Sequence, residues 1–224
     1  MPSAGASRII VLHLTKYSDR SLIVHAIDSQ EGRQSFILHG AGRKAGTRSI
    51  SDFHSLNILD VISSGRPSGS MRYLREWESV RPLNSLRSDI FKSSTALFIS
   101  EVLYRSLTVE AADSTLFDWL CSVIETLDSA DGSIANFHLW FLSAFCTRMG
   151  FGPADNFEPR EIFSPEENSL LKRLGSCNFA EAMSIPLNGR TRSGFSRKLI
   201  QYLSFHLGAR IELRSLDVLH ELFE

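Results

Sequence analysis

Cysteine is scarce and poorly placed. The three in this 224-residue chain, Cys121, Cys146 and Cys177, are odd in number and far apart. They make no CxxC pair and no zinc spacing, which argues against a disulfide frame or a cysteine-held metal. Cys121 and Cys146 fall inside apolar helical patterns and read as buried free thiols. Long apolar runs are also missing, since none approaches the about 18 residues that span a bilayer. The opening MPSAGASR has no charged-then-apolar leader, so the expected compartment is the cytoplasm. Catalytic signatures are absent too. The seven histidines, His13, His25, His39, His54, His138, His206 and His220, include no HExxH pair, and there is no Gly-x-Ser-x-Gly elbow. The carboxylate pairs Glu166–Glu167 and Glu76/Glu78 sit in polar surroundings and read as surface. The expectation is a non-enzymatic protein without a cofactor.

Glycine, in contrast, is concentrated with cations in FILHGAGRKAGTRSISDFHSLNIL (Phe36–Leu59). A P-loop requires Gly-x4-Gly-Lys-Ser/Thr, but Thr47 and Arg48 follow Gly46. The dinucleotide fingerprint requires Gly-x-Gly-x-x-Gly between strand and helix, but the spacing here is Gly40-x-Gly42-x-x-x-Gly46, and SDFHSLNILDV reads as a strand. A nucleotide cradle is thereby disfavoured. What remains is either a hairpin loop with solvated charges or a basic loop that touches a nucleic-acid backbone.

Charge is nearly balanced over the chain but not along it. Residues 1–80 hold ten Lys/Arg against seven Asp/Glu, a net of +3, and residues 81–224 hold fourteen against eighteen, a net of −4. No acid occurs between Glu181 and Glu212, where Arg190, Arg192, Arg197, Lys198 and Arg210 lie. Local potential, not the total, governs binding of a polyanion.

The first eighty residues read as β. RIIVLHL (Arg8–Leu14), SLIVHAID (Ser21–Asp28), RQSFILHG (Arg33–Gly40), DFHSLNILDVI (Asp52–Ile62) and MRYLREWESV (Met71–Val80) are short runs divided by turn signals. In the fourth run His54, Leu56, Ile58 and Asp60 make the more apolar face. Five strands in this length fit an OB-fold barrel, with an SH3-like barrel as rival. Near Pro82 the period changes. Helices are expected over Ser88–Leu107, Asp113–Leu127, Ile134–Met149, Ser193–Leu207 and Leu216–Phe223, the third apolar on several sides and therefore central. The fold class is thus α+β: an OB-fold over residues 1–80 followed by an all-helical domain over 81–224. On such a barrel, cations follow a phosphodiester backbone and aromatics stack bases. Lys16, Arg20, Arg43, Lys44 and Arg48 are the phosphate candidates, with Tyr17 and Tyr73 for stacking. Arg190, Arg192, Arg197 and Lys198 form a second candidate contact, where a helix start adds anion attraction. The rival reading is a protein-interaction adaptor without direct DNA contact.

The order of parts resembles the bacterial RecO family of DNA repair proteins. Val11-Leu12, Tyr17, Asp19, Ser21, Gly32 and Gly40-Ala41 with Arg43-Lys44 follow that family's opening. SRKLIQYLSFHLGARIELRSLDVL, with its Leu213-Arg214-Ser215 turn, is similar to the family's last helices, and CTRMGFGP to the end of its central helix. The resemblance implies a recombination mediator that binds single- and double-stranded DNA and anneals strands. It also implies work with RecR and single-stranded DNA-binding protein, loading of RecA, no nucleotide hydrolysis and a nucleoid-associated place in the cytoplasm. The family's helical pocket for the acidic tail of the single-stranded DNA-binding protein would fall here on Phe137 and Phe141, with Arg148 as the basic partner. Two departures stand out. The four-cysteine zinc module of many members is replaced by DNFEPREIFSPEENSLLKRL, and Gly42 is inserted in the basic loop.

Overall fold

A computed structural model of the chain describes residues 5–39, 50–65, 71–108, 113–152 and 162–223. Residues divide into two compact units, Met1–Asn84 with Leu103–Glu125, and Ser85–Val102 with Thr126–Glu224.

The first unit is built on five strands: β1 (Gly5–Ser18), β2 (Ser21–Asp28), β3 (Gly32–His39), β4 (Ile58–Ser64) and β5 (Arg72–Ser79). They close in the order β1-β2-β3-β5-β4, with β3 and β5 parallel and the other pairs antiparallel. This is the five-stranded Greek-key barrel of an OB-fold. β1 is long enough to serve two neighbours, pairing with β4 through Gly5–Ile10 and with β2 through Ile9–Ser18. Alternation sends Ile9, Val11, Val24, Ala26, Phe36, Leu38, Leu59, Val61 and Leu74 into the barrel. Burying such side chains contributes about 1.5–3 kcal/mol each before entropy is counted.

The segment between β3 and β4 corrects the expected fourth strand. Ile50–Phe53 forms a 3-10 turn, and Leu56 takes a left-handed φ of 63°. The turn is fastened to β1, where Leu56 N–H donates to Val11 O (2.8 Å) and Val11 N–H donates to Asn57 O (3.0 Å). Residues 52–57 are used up by this turn, so β4 begins at Ile58. Its inner face is Leu59, Val61 and Ser63, and Asp60 points out. Of the face expected to be buried, Leu56 and Ile58 are buried, whereas Asp60 is exposed. In β5 the pairing slips, with Val61 opposite Trp77 but Ser63 opposite Leu74. Arg75 is the extra residue of this bulge, which lets Leu74 and Trp77 both reach the core.

The helices are α1 (Asn84–Ser88), α2 (Ile90–Ser106), α3 (Ser114–Ser129), α4 (Phe137–Cys146), α5 (Pro165–Ser176), α6 (Phe179–Met183), α7 (Gly189–Leu207) and α8 (Ser215–Phe223). Acids cap the starts of α2 and α3: Asp89 Oδ1 accepts from Phe91 and Lys92 N–H, and Asp113 Oδ1 from Thr115 and Leu116 N–H. α4 is the centre of the second unit, packed against α5, α6 and α7. Its Phe137, Leu139, Phe141, Leu142 and Phe145 are fully buried. A π turn over Thr147–Phe151 ends it, where Gly150 adopts φ 80°. Helices α5 and α6 were not expected from the sequence pattern. Both start with a capping box, Ser164 with Glu167 and Asn178 with Glu181. The described part of the segment lacking zinc cysteines is thus helical from Pro165.

Candidate nucleic-acid interface

Outward-facing residues of β1, β2, β3 and β5 form one surface. The register sets His13 beside His25 and His25 beside Ser35, then Thr15, Ile23, Ile37 and Tyr73 in the next row. His25 holds both neighbours, with Nε2 3.0 Å from Thr15 Oγ1 and Nδ1 2.9 Å from Ser35 Oγ. Its rings-and-cations surroundings are dense. The His13 ring lies 6.0 Å from His25, and Tyr104 lies 5.2 and 5.1 Å from the two. The Arg33 guanidinium sits 4.5 Å from the centre of the Tyr104 ring and donates to Leu107 O at 2.7 Å. Arg105 approaches the same ring at 5.8 Å. Burial, with neighbouring His13 and Arg33 adding to it, holds the His25 imidazole below its ordinary pKa, so the ring is neutral at pH 7.

A second group stands at the end of β3. His39 Nδ1 pairs with Ser21 Oγ at 2.7 Å. Its ring stacks on Tyr73 at 5.1 Å, and the Arg75 guanidinium lies 5.5 Å from the Tyr73 ring. Arg75 also donates to Ser64 Oγ at 2.6 Å. Tyr73 is therefore held as a ring with a cation beside it, the arrangement used to stack bases on a charged groove. The tip of the β1–β2 hairpin extends this surface. Tyr17 is 56% exposed, and Lys16 and Arg20 are exposed beside it. Asp19 lies 3.5 Å from Lys16 and partly offsets it, a weak exposed pair. Asp28 is taken up internally by Ser7 Oγ–H and Gln30 N–H, and Asp52 accepts from Trp77 Nε1 at 3.1 Å.

The other expected contacts separate into three kinds. Arg43, Lys44 and Arg48, with Gly42, lie outside the described residues. On α7, Arg190 and Arg197 are exposed. The helix starts at Gly189, with Asn188 Oδ1 accepting from Thr191 N–H at 2.9 Å, so Arg190 and Arg192 belong to its first turn and do not precede it. Arg192 is turned inward, where it donates to the carbonyls of Leu187 and Phe223. Burial lowers its pKa from the ordinary arginine value. Lys198 is engaged by Glu167, with Nζ 2.5 Å from Oε2. Phe137 and Phe141 are 0% exposed, so they are core and do not form the wall of an open pocket. Arg148 is exposed in the π turn. Among the described residues no group of three His, Cys, Asp or Glu is arranged to hold a metal. Burial pushes the Cys121 thiol up to about 11 and the Cys146 thiol up to about 12, so neither is a ready nucleophile.

Comparison with known proteins bears on this surface. The family model "Recombination protein O N terminal" matches residues 6–83, which include the barrel, and "Recombination protein O C terminal" matches residues 87–156. A "DNA repair protein RecO" of Flavobacterium psychrophilum is 30% identical over 234 residues, covering 97% of this chain and 98% of that protein. The chain belongs to the RecO family. RecO proteins of Bacteroides fragilis (32% identical over 235 residues) and Phocaeicola vulgatus (31% over 234) are similar over 96% of this chain and 97% of each relative. This RecO-family DNA repair protein carries these rings and cations on the outer face of its barrel. Among the described residues no helix is long and apolar enough to cross a membrane. Sequence reasoning passed over His13, His25, His39, Arg33 and Arg75. Their signal is pairing across strands, which shows only once the register is known.

Proposed function

We propose that this RecO-family protein is a non-enzymatic recombination mediator that grips DNA on the outer face of β1, β2, β3 and β5. The supporting observation is the joint placement of Tyr73, His13 and His39 with Arg33 and Arg75 on the outer barrel face, with Lys16, Tyr17 and Arg20 exposed at the tip of the β1–β2 hairpin. Rings accept bases of any sequence, and cations neutralise phosphates. Sequence-tolerant binding of single strands follows, with double strands held through the same phosphate contacts. Arg43, Lys44 and Arg48 would extend the phosphate track from the end of β3. Arg190 and Arg197 on α7 would add an auxiliary contact. Residues 1–80 would thus form the DNA-binding part, and 81–224 the part that meets protein partners. Those partners would be RecR and the tail of the single-stranded DNA-binding protein, with RecA loaded in turn. Strand annealing would follow from holding single strands with their bases on rings, at a cytoplasmic, nucleoid-associated site.

The test is a titration of fluorescent single-stranded DNA at several salt concentrations. Phosphate contacts give a log–log slope of about −0.7 per neutralised phosphate. Replacing Lys16, Arg20 and Arg75 together with alanine is expected to flatten it by up to about 2. Tyr73→Ala is expected to weaken binding at every salt concentration, by about 1–3 kcal/mol, without changing the slope. Unchanged affinity and slope in both variants would leave the adaptor reading in place.

A further inference from the structure

His25 stands in the middle strand of the barrel face with a hydroxyl at each ring nitrogen, Thr15 Oγ1 at 3.0 Å from Nε2 and Ser35 Oγ at 2.9 Å from Nδ1. A hydroxyl either donates or accepts. The neutral ring donates to one of them and accepts from the other, and the imidazolium donates to both. Each protonation state therefore keeps both hydrogen bonds, so a proton can come and go without rearranging β1, β2 and β3. The surroundings of the free protein favour the neutral state. The ring packs against His13 of β1 and Tyr104 of α2. Arg33 of β3 and Arg105 of α2 both approach the same Tyr104 ring. Burial first, then His13 and Arg33, disfavour a charge on His25. Glu31, two residues before Arg33, is engaged by Arg72 at 2.6 Å. Among the described residues, the groups that act on this half-buried ring are thus cations and rings, not carboxylates.

We propose that the backbone of single-stranded DNA supplies the missing anion, and that binding it is coupled to proton uptake at His25, so that the grip tightens as pH falls from 8 to 6. The inference rests on the DNA reading above and adds its regulation. A phosphate drawn to Arg33 stands beside His25, and a negative charge within about 4–6 Å favours the imidazolium. The coupling is reciprocal: if bound DNA raises the affinity of His25 for a proton, the proton raises the affinity for DNA by the same factor. At pH 8 the ring is a neutral neighbour of the strand. At pH 6 the DNA-bound ring adds one cation to the phosphate track, while its two hydroxyl partners stay in place.

The probe is fluorescein-labelled oligothymidylate, titrated into the full chain at pH 8, 7 and 6 at constant ionic strength and followed by anisotropy. Affinity is expected to rise about threefold or more between pH 8 and pH 6. His25→Gln keeps a side chain that donates and accepts but does not titrate. This variant is expected to bind within about twofold of the unsubstituted chain at pH 8 and to lose roughly half or more of the gain at pH 6. Calorimetry at pH 6.5 in two buffers of different ionisation enthalpy counts the protons directly. Uptake on DNA binding is expected for the unsubstituted chain, and less of it for His25→Gln. If the glutamine variant does not fold, Thr15→Val/Ser35→Ala, which removes both acceptors of the imidazolium, is read by the same criterion. Equal affinity at pH 8 and pH 6, or a gain and a proton uptake that the variant keeps in full, would overturn this inference and leave the DNA reading standing. Absence of binding at every pH would overturn both.

Discussion

Arg192 and Arg197 lie five residues apart on α7, one turned inward and the other exposed. The Arg192 guanidinium ties the carbonyl of Leu187, before the helix, to that of Phe223 in α8. Charged hydrogen bonds of this kind contribute about 1.5–3 kcal/mol each. Arg192→Ala is therefore expected to lower the urea midpoint clearly while changing DNA affinity little; Arg197→Ala is expected to do the reverse. Paired denaturation and DNA titrations check both. His138 gives a second prediction at this scale. It is 1% exposed, 3.0 Å from Ser196 Oγ, and held down to about 3, chiefly by burial and then by His220 and Arg192. The unfolded chain takes up a proton near pH 6.5 that the folded chain refuses. The stabilising contribution is complete above that pH and is lost as pH falls toward 3, at up to about 1.4 kcal/mol per pH unit. His138→Phe is expected to flatten this acid-side decline, as urea midpoints at pH 5 and pH 7 would show. Ser196 keeps a partner in that variant, because its hydroxyl also donates to Arg192 O.

Elements were legible in the sequence to the extent that local signals decide them. β1, β2 and β3 follow from short apolar runs and turn residues, and α2, α3, α7 and α8 from the helical spacing of apolar residues. The start of β4 was misread because Leu56 adopts a conformation that alternation does not anticipate, and the turn before Ile58 takes up residues expected to be strand. α5 and α6 were overlooked although Ser164-x-x-Glu167 and Asn178-x-x-Glu181 are visible capping boxes. The ring-and-cation surface was legible only in part: Lys16, Arg20 and Tyr73 are apparent one by one, but His25 meets His13 and Ser35 only through pairing across three strands. Nothing local in the sequence distinguishes Arg192 from Arg190. The link between α5 and α7 carries its own prediction. Glu167→Gln keeps the capping box, since glutamine serves at that position too, but removes the charge that holds Lys198. Stability is expected to change by less than about 1 kcal/mol. DNA affinity is expected to rise, and the salt slope to steepen by about 0.7 if Lys198 reaches a phosphate. Salt-dependent titration of the variant reads both effects.

At the scale of the whole molecule, the first compact unit draws on two separate stretches of chain, Met1–Asn84 and Leu103–Glu125. Tyr104 and the carbonyl of Leu107, on which Arg33 rests, come from the second stretch. A fragment ending at residue 84 is expected to melt at a lower temperature than one ending at residue 125, and to bind single-stranded DNA more weakly. Melting curves and titrations of the two fragments decide this. The arrangement also sets an order of events during synthesis. The β1–β2 and β2–β3 hairpins need only neighbouring residues and can form early, because short loops close cheaply. Arg33 must then wait for more than seventy further residues to leave the ribosome before its ring and carbonyl exist. Until then the surface proposed for DNA is unfinished, so a nascent barrel is expected to compete for DNA less well than the completed chain.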